Sequence, residues 1–156
     1  MSENETKLEN LLGMLADVYE TKLPFNKLLG LRVDRLEPDQ VRVVFDMKPE
    51  LIGNYVHGVL HGGVISSVLD ATGGIMASVG VIERLQSRPA EEIQKGIFKV
   101  GTIDLRVDYL RPGLGKSFYA TGTAMRTGKK VTVARMELNN DSNRLIAVGT
   151  GTYIVG

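Results

Sequence analysis

The chain has 156 residues, 43% of them apolar and 24% charged, with a formal net charge of +1 and no cysteine. That length and balance suit one globular domain with a sizeable core, and the near-neutral charge gives no reason to expect nucleic acid or an anionic membrane surface as partner. The lack of cysteine excludes disulfides, a thiolate nucleophile and cysteine metal sites.

The first ten residues, MSENETKLEN, carry acids where a signal peptide would carry basic and then apolar residues. No uncharged apolar run reaches the ~18 residues needed to span a bilayer, so a cytoplasmic protein without a membrane span is expected. Over residues 6–22, Leu8, Leu11, Leu12, Leu15, Val18 and Tyr19 recur at spacings of three and four, which makes one apolar stripe on a helix that Pro24 ends. Such a stripe packs on the parent domain or, alternatively, on a partner or membrane surface. Residues 1–24 are taken as an N-terminal amphipathic helix and residues 25–156 as the main domain, with no linker or internal repeat.

Residues 30–47 read as a hairpin, with Leu31, Val33 and Leu36 before the turn at 37–39 and Val41, Val43 and Phe45 alternating after it. Residues 48–60 read as a loop. A helix starts at Gly62–Gly63 and runs to about Val81; Val64, Ile65, Val68, Leu69, Thr72, Ile75, Met76 and Val79 cover so much of its circumference that it must be buried widely. The charged stretch ERLQSRPAEEIQKG (83–96) reads as a solvated loop or surface helix. From Ile97 the period becomes two: Ile103, Leu105, Val107 and Tyr109 alternate with Thr102, Asp104, Arg106 and Asp108, RPGLGKS turns the chain, and strands follow over 118–126, 131–138 and 145–155. Sequential strands joined by short turns are antiparallel. These elements predict an α+β architecture in which one antiparallel sheet, a hairpin followed by a four-strand meander, curls around a long central helix: the hot-dog fold. The outer face and the edge of the sheet are left for a second subunit.

The chemistry concentrates in HGGVISSVLDATGG (61–74). Asp70 is a carboxylate among apolar residues, which is costly unless it is hydrogen-bonded or opens on a cavity. Gly62 and Gly63 sit where a helix begins, with unpaired N–H groups at the positive end of the dipole; that arrangement suits either a tight turn or an oxyanion hole for a carbonyl gaining charge. His61 can be a base, a ligand or a polar fixture. Only His57 joins it, with no third ligand at metal spacing, so no metal is expected. Ser66 and Ser67 lie on the helix rather than on the sharp turn a Ser–His–Asp triad needs, and GLGKS (113–117) lacks the first glycine of a phosphate loop.

Three stretches in order, HGGVISSVLDATGG, VGTIDLRVDYLRPG (100–113, through Thr102, Asp104, Tyr109 and Pro112) and GKKVTVARMELNNDSNRLIAVGTGTY (128–153, with its A-x-G-x-x-x-Y ending), resemble the hot-dog acyl-CoA thioesterases of the PaaI type over about residues 25–153. The resemblance implies hydrolysis of acyl-CoA without a cofactor. It makes Asp70 the nucleophile or general base and the Gly62 N–H the oxyanion hole, with Thr102 holding the water or the acid. The family's asparagine six residues before the histidine has Tyr55 in its place, with Asn54 one residue earlier as the candidate for its role. It further implies sites shared between two chains, Gly62 from one and Asp70 from the other, in a dimer that assembles further into a tetramer. Around that core, Gly63 accompanies the oxyanion hole, the small residues Gly73, Gly74 and Ala77 are candidates for lining a medium-to-long aliphatic acyl slot, and Arg126, Lys129 and Lys130 form either a solvated hairpin tip or a contact to CoA phosphate. The competing functions are a non-catalytic acyl-CoA-binding sensor and a hot-dog dehydratase using His61 or His57.

Overall fold

A computed structural model describes residues 3–156; residues 1 and 2 of the expected N-terminal segment lie outside it. Helix α1 (Glu3–Asp17) carries the leucine stripe, and Leu11 and Leu15 are buried in the same core as the sheet, so the stripe packs on the parent domain. The helix does not continue regularly to residue 22. It loosens into a π turn over Val18–Lys22, and Pro24 then opens a second short helix, α2 (Pro24–Leu29), at a first-turn position where its missing N–H is no loss.

Strands β1 (Arg32–Leu36) and β2 (Val41–Asp46) form the expected hairpin, and β2 turns Val41, Val43 and Phe45 fully into the core. Residues 48–60 are more ordered than a loop. They hold a 3-10 turn (Pro49–Leu51) and a separate small hairpin of β3 (Ile52–Asn54) and β4 (Val59–Leu60), strands too short to display a period of two. Helix α3 (Gly62–Leu85) starts where expected and runs past Val81, with every residue from Thr72 to Ile82 buried. It is long and apolar enough to cross a membrane, yet 78% of its most apolar window is covered by the rest of the fold. The polar stretch after it contains α4 (Ala90–Ile97), which is anchored because Ile93 and Ile97, one turn apart, both point inward.

The remaining strands are β5 (Gly101–Tyr109), β6 (Ser117–Thr127), β7 (Val131–Asn140) and β8 (Leu145–Ile154). They do not form a four-strand meander. The six-stranded antiparallel sheet has the order β1-β2-β6-β7-β8-β5, so only β6, β7 and β8 follow one another, while β5 pairs with β8 at the far edge. Residues 110–116 cross the ends of β8 and β7, a gap of about 14 Å at the usual inter-strand spacing. The crossing is pinned by the N–H groups of Leu110 and Arg111 on the Ile146 carbonyl (2.9 and 3.0 Å) and by the Met47 N–H on Lys116 O (2.9 Å). Local turn residues announce such a crossing in the same way as a hairpin, which is why the sequence suggests the wrong neighbour.

A bulge in β5 changes which side chains meet α3. Thr102 pairs with Tyr153, but Asp104 pairs with Thr152, leaving Ile103 as the extra residue, 57% exposed. Simple alternation would put Ile103 inside with Leu105 and Val107; the bulge turns Ile103 out and brings Thr102 to the helix side.

Leu15→Ala is expected to destabilise the protein by ~2–5 kcal/mol, as loss of a fully buried leucine does. Urea unfolding reads this as a lower midpoint. A midpoint equal to the parent's would mean that α1 contributes nothing to the core.

Candidate active site

The first turn of α3 has four backbone N–H groups without helical acceptors. Three of them have partners. His61 is the N-cap; its own N–H donates to the Leu51 carbonyl (2.8 Å), its Nδ1 accepts from Gly63 N–H at 2.8 Å, and its carbonyl accepts from Val64 N–H (2.9 Å). The Gly62 N–H makes no hydrogen bond to any described residue. The Gly62 carbonyl accepts from the Tyr109 hydroxyl (3.0 Å), whose ring lies against the bare Cα; a Cβ there would be 3.4 Å from ring Cε1. This end of α3 opens on a cleft of about 390 Å³ lined by Gly62, Tyr109, Arg111 and Pro112 among others. Because Nδ1 accepts a hydrogen bond, neutral His61 carries its proton on Nε2.

Asp70 lies farther along α3, half-buried, with one of its two oxygens held. Oδ1 accepts from Thr102 Oγ1 at 2.9 Å and lies 3.3 Å from the Tyr153 hydroxyl, which also reaches the Asp70 backbone oxygen at 3.2 Å. Oδ2 has no protein partner among the described residues, and no Lys, Arg or His forms an ion pair with Asp70. Burial, and then the negative charge of Asp70 and the hydrogen bond to it, push the Tyr153 hydroxyl far above the usual tyrosine range, so it stays a donor. Burial likewise raises Tyr19, opposed by its contact with Ser78 and reinforced by Asp70. The carboxylate borders a cavity of about 220 Å³ walled by Tyr19, Phe25, Gly74, Thr102 and Tyr153.

The two halves of the expected site therefore face different spaces. Positions 62 and 70 are about 12 Å apart along the axis at the usual helical rise, and the cleft at Gly62 and the cavity at Asp70 have no lining residue in common. The Asn54 side chain hydrogen-bonds to neither Gly62 nor Asp70. Its Oδ1 accepts from the N–H groups of Val56 (3.0 Å) and His57 (3.3 Å), capping the β3–β4 turn. Gly74 lines the Asp70 cavity, and a Cβ on it would lie 3.2 Å from Tyr19 Oη. Ala77 is fully buried in the hydrophobic core. The space at Gly73 is filled: a Cβ there would lie 2.1 Å from Tyr153 Oη. Arg126, Lys129 and Lys130 are exposed at the β6–β7 turn, which Arg84 ties to the far end of α3 through the carbonyls of Gly128 and Lys129. Among the described residues no three His, Asp or Glu side chains gather as a metal site would need. Tyr153 and Tyr109 are the participants that residue-by-residue sequence reading leaves without a role. Both stand inside the motif stretches, and only their contacts reveal what they touch.

The sequence profile of the thioesterase superfamily matches residues 57–147. A medium/long-chain acyl-CoA thioesterase of Escherichia coli, YigI, is 40% identical over 95% of this chain and 96% of its own length. Among solved structures, a protein from Shewanella oneidensis related to the thioesterase superfamily superposes with a TM-score of 0.92 at 47% identity, covering 96% of this chain and 97% of that one. A candidate thioesterase from Syntrophus aciditrophicus gives 0.85 at 46% identity, covering 99% of this chain and all of that one.

Gly73→Ala is expected to destabilise the fold by ~1–3 kcal/mol, because the added methyl must displace a buried phenol. Thermal unfolding checks this; an unchanged midpoint would mean that the ring moves aside freely.

Proposed function

Because the chain belongs to the thioesterase superfamily, by sequence profile and by a hot-dog fold common to its solved relatives, we propose that it hydrolyses acyl-CoA thioesters of medium to long aliphatic chain to the free acid and CoA. The observation that carries this reading is Asp70: a carboxylate on a buried helix with Oδ1 held by hydroxyls, Oδ2 without a protein partner, and a cavity in front of it. A thioester carbonyl needs an attacking oxygen and a stabiliser for the charge that develops on its own oxygen. The thiolate leaves readily, so no strong general acid is required. Acting as general base, Asp70 takes a proton from water while the water oxygen attacks the carbonyl carbon; the C–S bond then breaks, and the CoA thiolate takes up the proton. Acting as nucleophile, Asp70 attacks the carbonyl carbon and the C–S bond breaks to expel the CoA thiolate; water then hydrolyses the resulting anhydride, which returns the Asp70 carboxylate, frees the acid and supplies the proton that the thiolate takes up.

The oxyanion donor is the Gly62 N–H, the one group in the first turn of α3 left without a local partner. At about 12 Å from Asp70 on the same rigid helix, it cannot serve the same carbonyl within one chain, which supports a site built from Gly62 of one protomer and Asp70 of the facing one. The dimer is thus the smallest active unit, and the polar outer face of the sheet is the surface proposed to join dimers into a tetramer. A cytoplasmic location fits an acyl-CoA substrate. His61 is the helix cap in this scheme. A dehydratase base on His61 would need a free lone pair, whereas Nδ1 accepts from Gly63 N–H and Nε2 carries the proton.

The acyl chain is proposed to enter the cavity beside Asp70. Its walls are Leu23, Phe25 and Tyr19 from the N-terminal segment and Ala71 and Gly74 from α3, and each methylene buried there contributes about 0.8 kcal/mol. The name of the E. coli relative supports this length class.

Release of free thiol, measured from acetyl- to palmitoyl-CoA, should show kcat/KM rising with chain length until the cavity is full. Asp70→Asn, which keeps the shape and removes the charge, should lower kcat by roughly a hundredfold or more while the protein remains folded. Turnover by Asp70→Asn at the parent rate would contradict the role of Asp70, and acyl-CoA binding without hydrolysis in the parent would make the protein a sensor.

A further inference from the structure

We infer that Tyr153 is a positioning residue for the Asp70 carboxylate: with Thr102 it fixes Oδ1 and leaves Oδ2 as the oxygen that meets water or substrate. The inference rests on the thioesterase reading above. Three features of the fold carry it. Thr102 and Tyr153 are direct cross-strand partners on β5 and β8, so both hydroxyl donors reach the carboxylate from a single rung of the sheet. Thr102 shares the α3-facing side with Tyr153 because the β5 bulge falls immediately after it.

The second feature is the space cleared for the hydroxyl. Tyr153 is 1% exposed, and two positions without side chains flank it, one on the helix and one on its own strand. A Cβ at Gly73 would lie 2.1 Å from Tyr153 Oη, and a Cβ at Gly151 2.5 Å from the same atom. In both cases the nearest atom is the phenol oxygen rather than a ring carbon. The path is open for the oxygen to lie between the Asp70 backbone carbonyl and Oδ1, where it is shared at 3.2 and 3.3 Å.

The third feature is the company Asp70 keeps. The groups that face it are Thr102 from β5, Tyr153 from β8 and Tyr19 from the turn after α1, with no cation among the described residues. The carboxylate is therefore oriented by hydroxyl donors alone. Loss of the Tyr153 hydroxyl removes one of those donors, so the carboxylate loses its preferred orientation.

Tyr153→Phe tests this, because the ring and its packing remain while Oη goes. Asp70 Oδ1 keeps Thr102 as donor, so the variant is expected to fold with a thermal midpoint close to the parent's. Its kcat on the best acyl-CoA should fall about tenfold, the scale of a hydrogen bond to a charged group, with KM little changed. In an Asp70→Asn background the same change should have almost no further effect, because the group it positions is already disabled. Parent kcat in Tyr153→Phe, beside an inactive Asp70→Asn, would overturn the inference and leave the thioesterase reading standing. A fall in kcat that persists in full on the Asp70→Asn background would also overturn it, since the tyrosine would then act through packing. Absence of hydrolysis by the parent protein would remove the reading and the inference together.

Discussion

A straight, buried α-helix is a ruler. It holds the free N–H of Gly62 and the carboxylate of Asp70 at a fixed separation of about 12 Å, too far apart to act on one carbonyl group and too rigidly held to close the gap. Helix α3 cannot bend to bring them together, because Ile65, Val68 and Leu69 between them are buried in the hydrophobic core. Two copies of the helix are the simple solution. In the proposed dimer the start of one helix would lie opposite the middle of the other, and each long helix would contribute to two sites. The proposed division of roles between the two chains follows from that spacing.

The sheet also arms the carboxylate. A lone Asp on a buried helix is costly, and the cost is offset by two hydroxyls delivered by adjacent strands, Thr102 from the edge strand β5 and Tyr153 from β8. The bulge that turns Thr102 inward leaves Ile103 facing out on the same edge. The N-terminal segment closes the cavity on the other side, with Tyr19, Leu23 and Phe25 standing over Ala71 and Gly74. Leu11 and Leu15 root that segment in the core, so the wall of the proposed acyl site is as firmly held as the strands.

Much of this was legible in the residues, and the parts that were not have physical reasons. The long helix and the six main strands show themselves because their apolar periods persist over many residues. The β3–β4 hairpin does not, since strands of three and two residues have no period. The place of β5 at the far edge is a matter of which strands lie between the ends of a short crossing, and RPGLGKS reads alike for a crossing and a hairpin. Helix α4 hides two buried isoleucines in a charged stretch. Within the site, Asp70 and Gly62 stand out as an acid on an apolar helix and a glycine at its start. Tyr153 does not, because an aromatic residue near the end of a strand looks like core until its oxygen is seen beside Asp70. Gly73 misleads for the same reason: its small size suggests room for a ligand, and the room is taken by that tyrosine.

The central claim is that one catalytic centre draws on two chains, and subunit complementation tests it most directly. Chains carrying Asp70→Asn and chains carrying Gly62→Val, each inactive alone, are mixed under conditions in which protomer exchange is verified by native mass spectrometry. The account predicts that acyl-CoA hydrolysis returns, because a mixed dimer pairs the intact Gly62 of one chain with the intact Asp70 of the other and so rebuilds one of its two sites. Exchange without any return of activity would contradict it, and would place both groups in the service of a single chain.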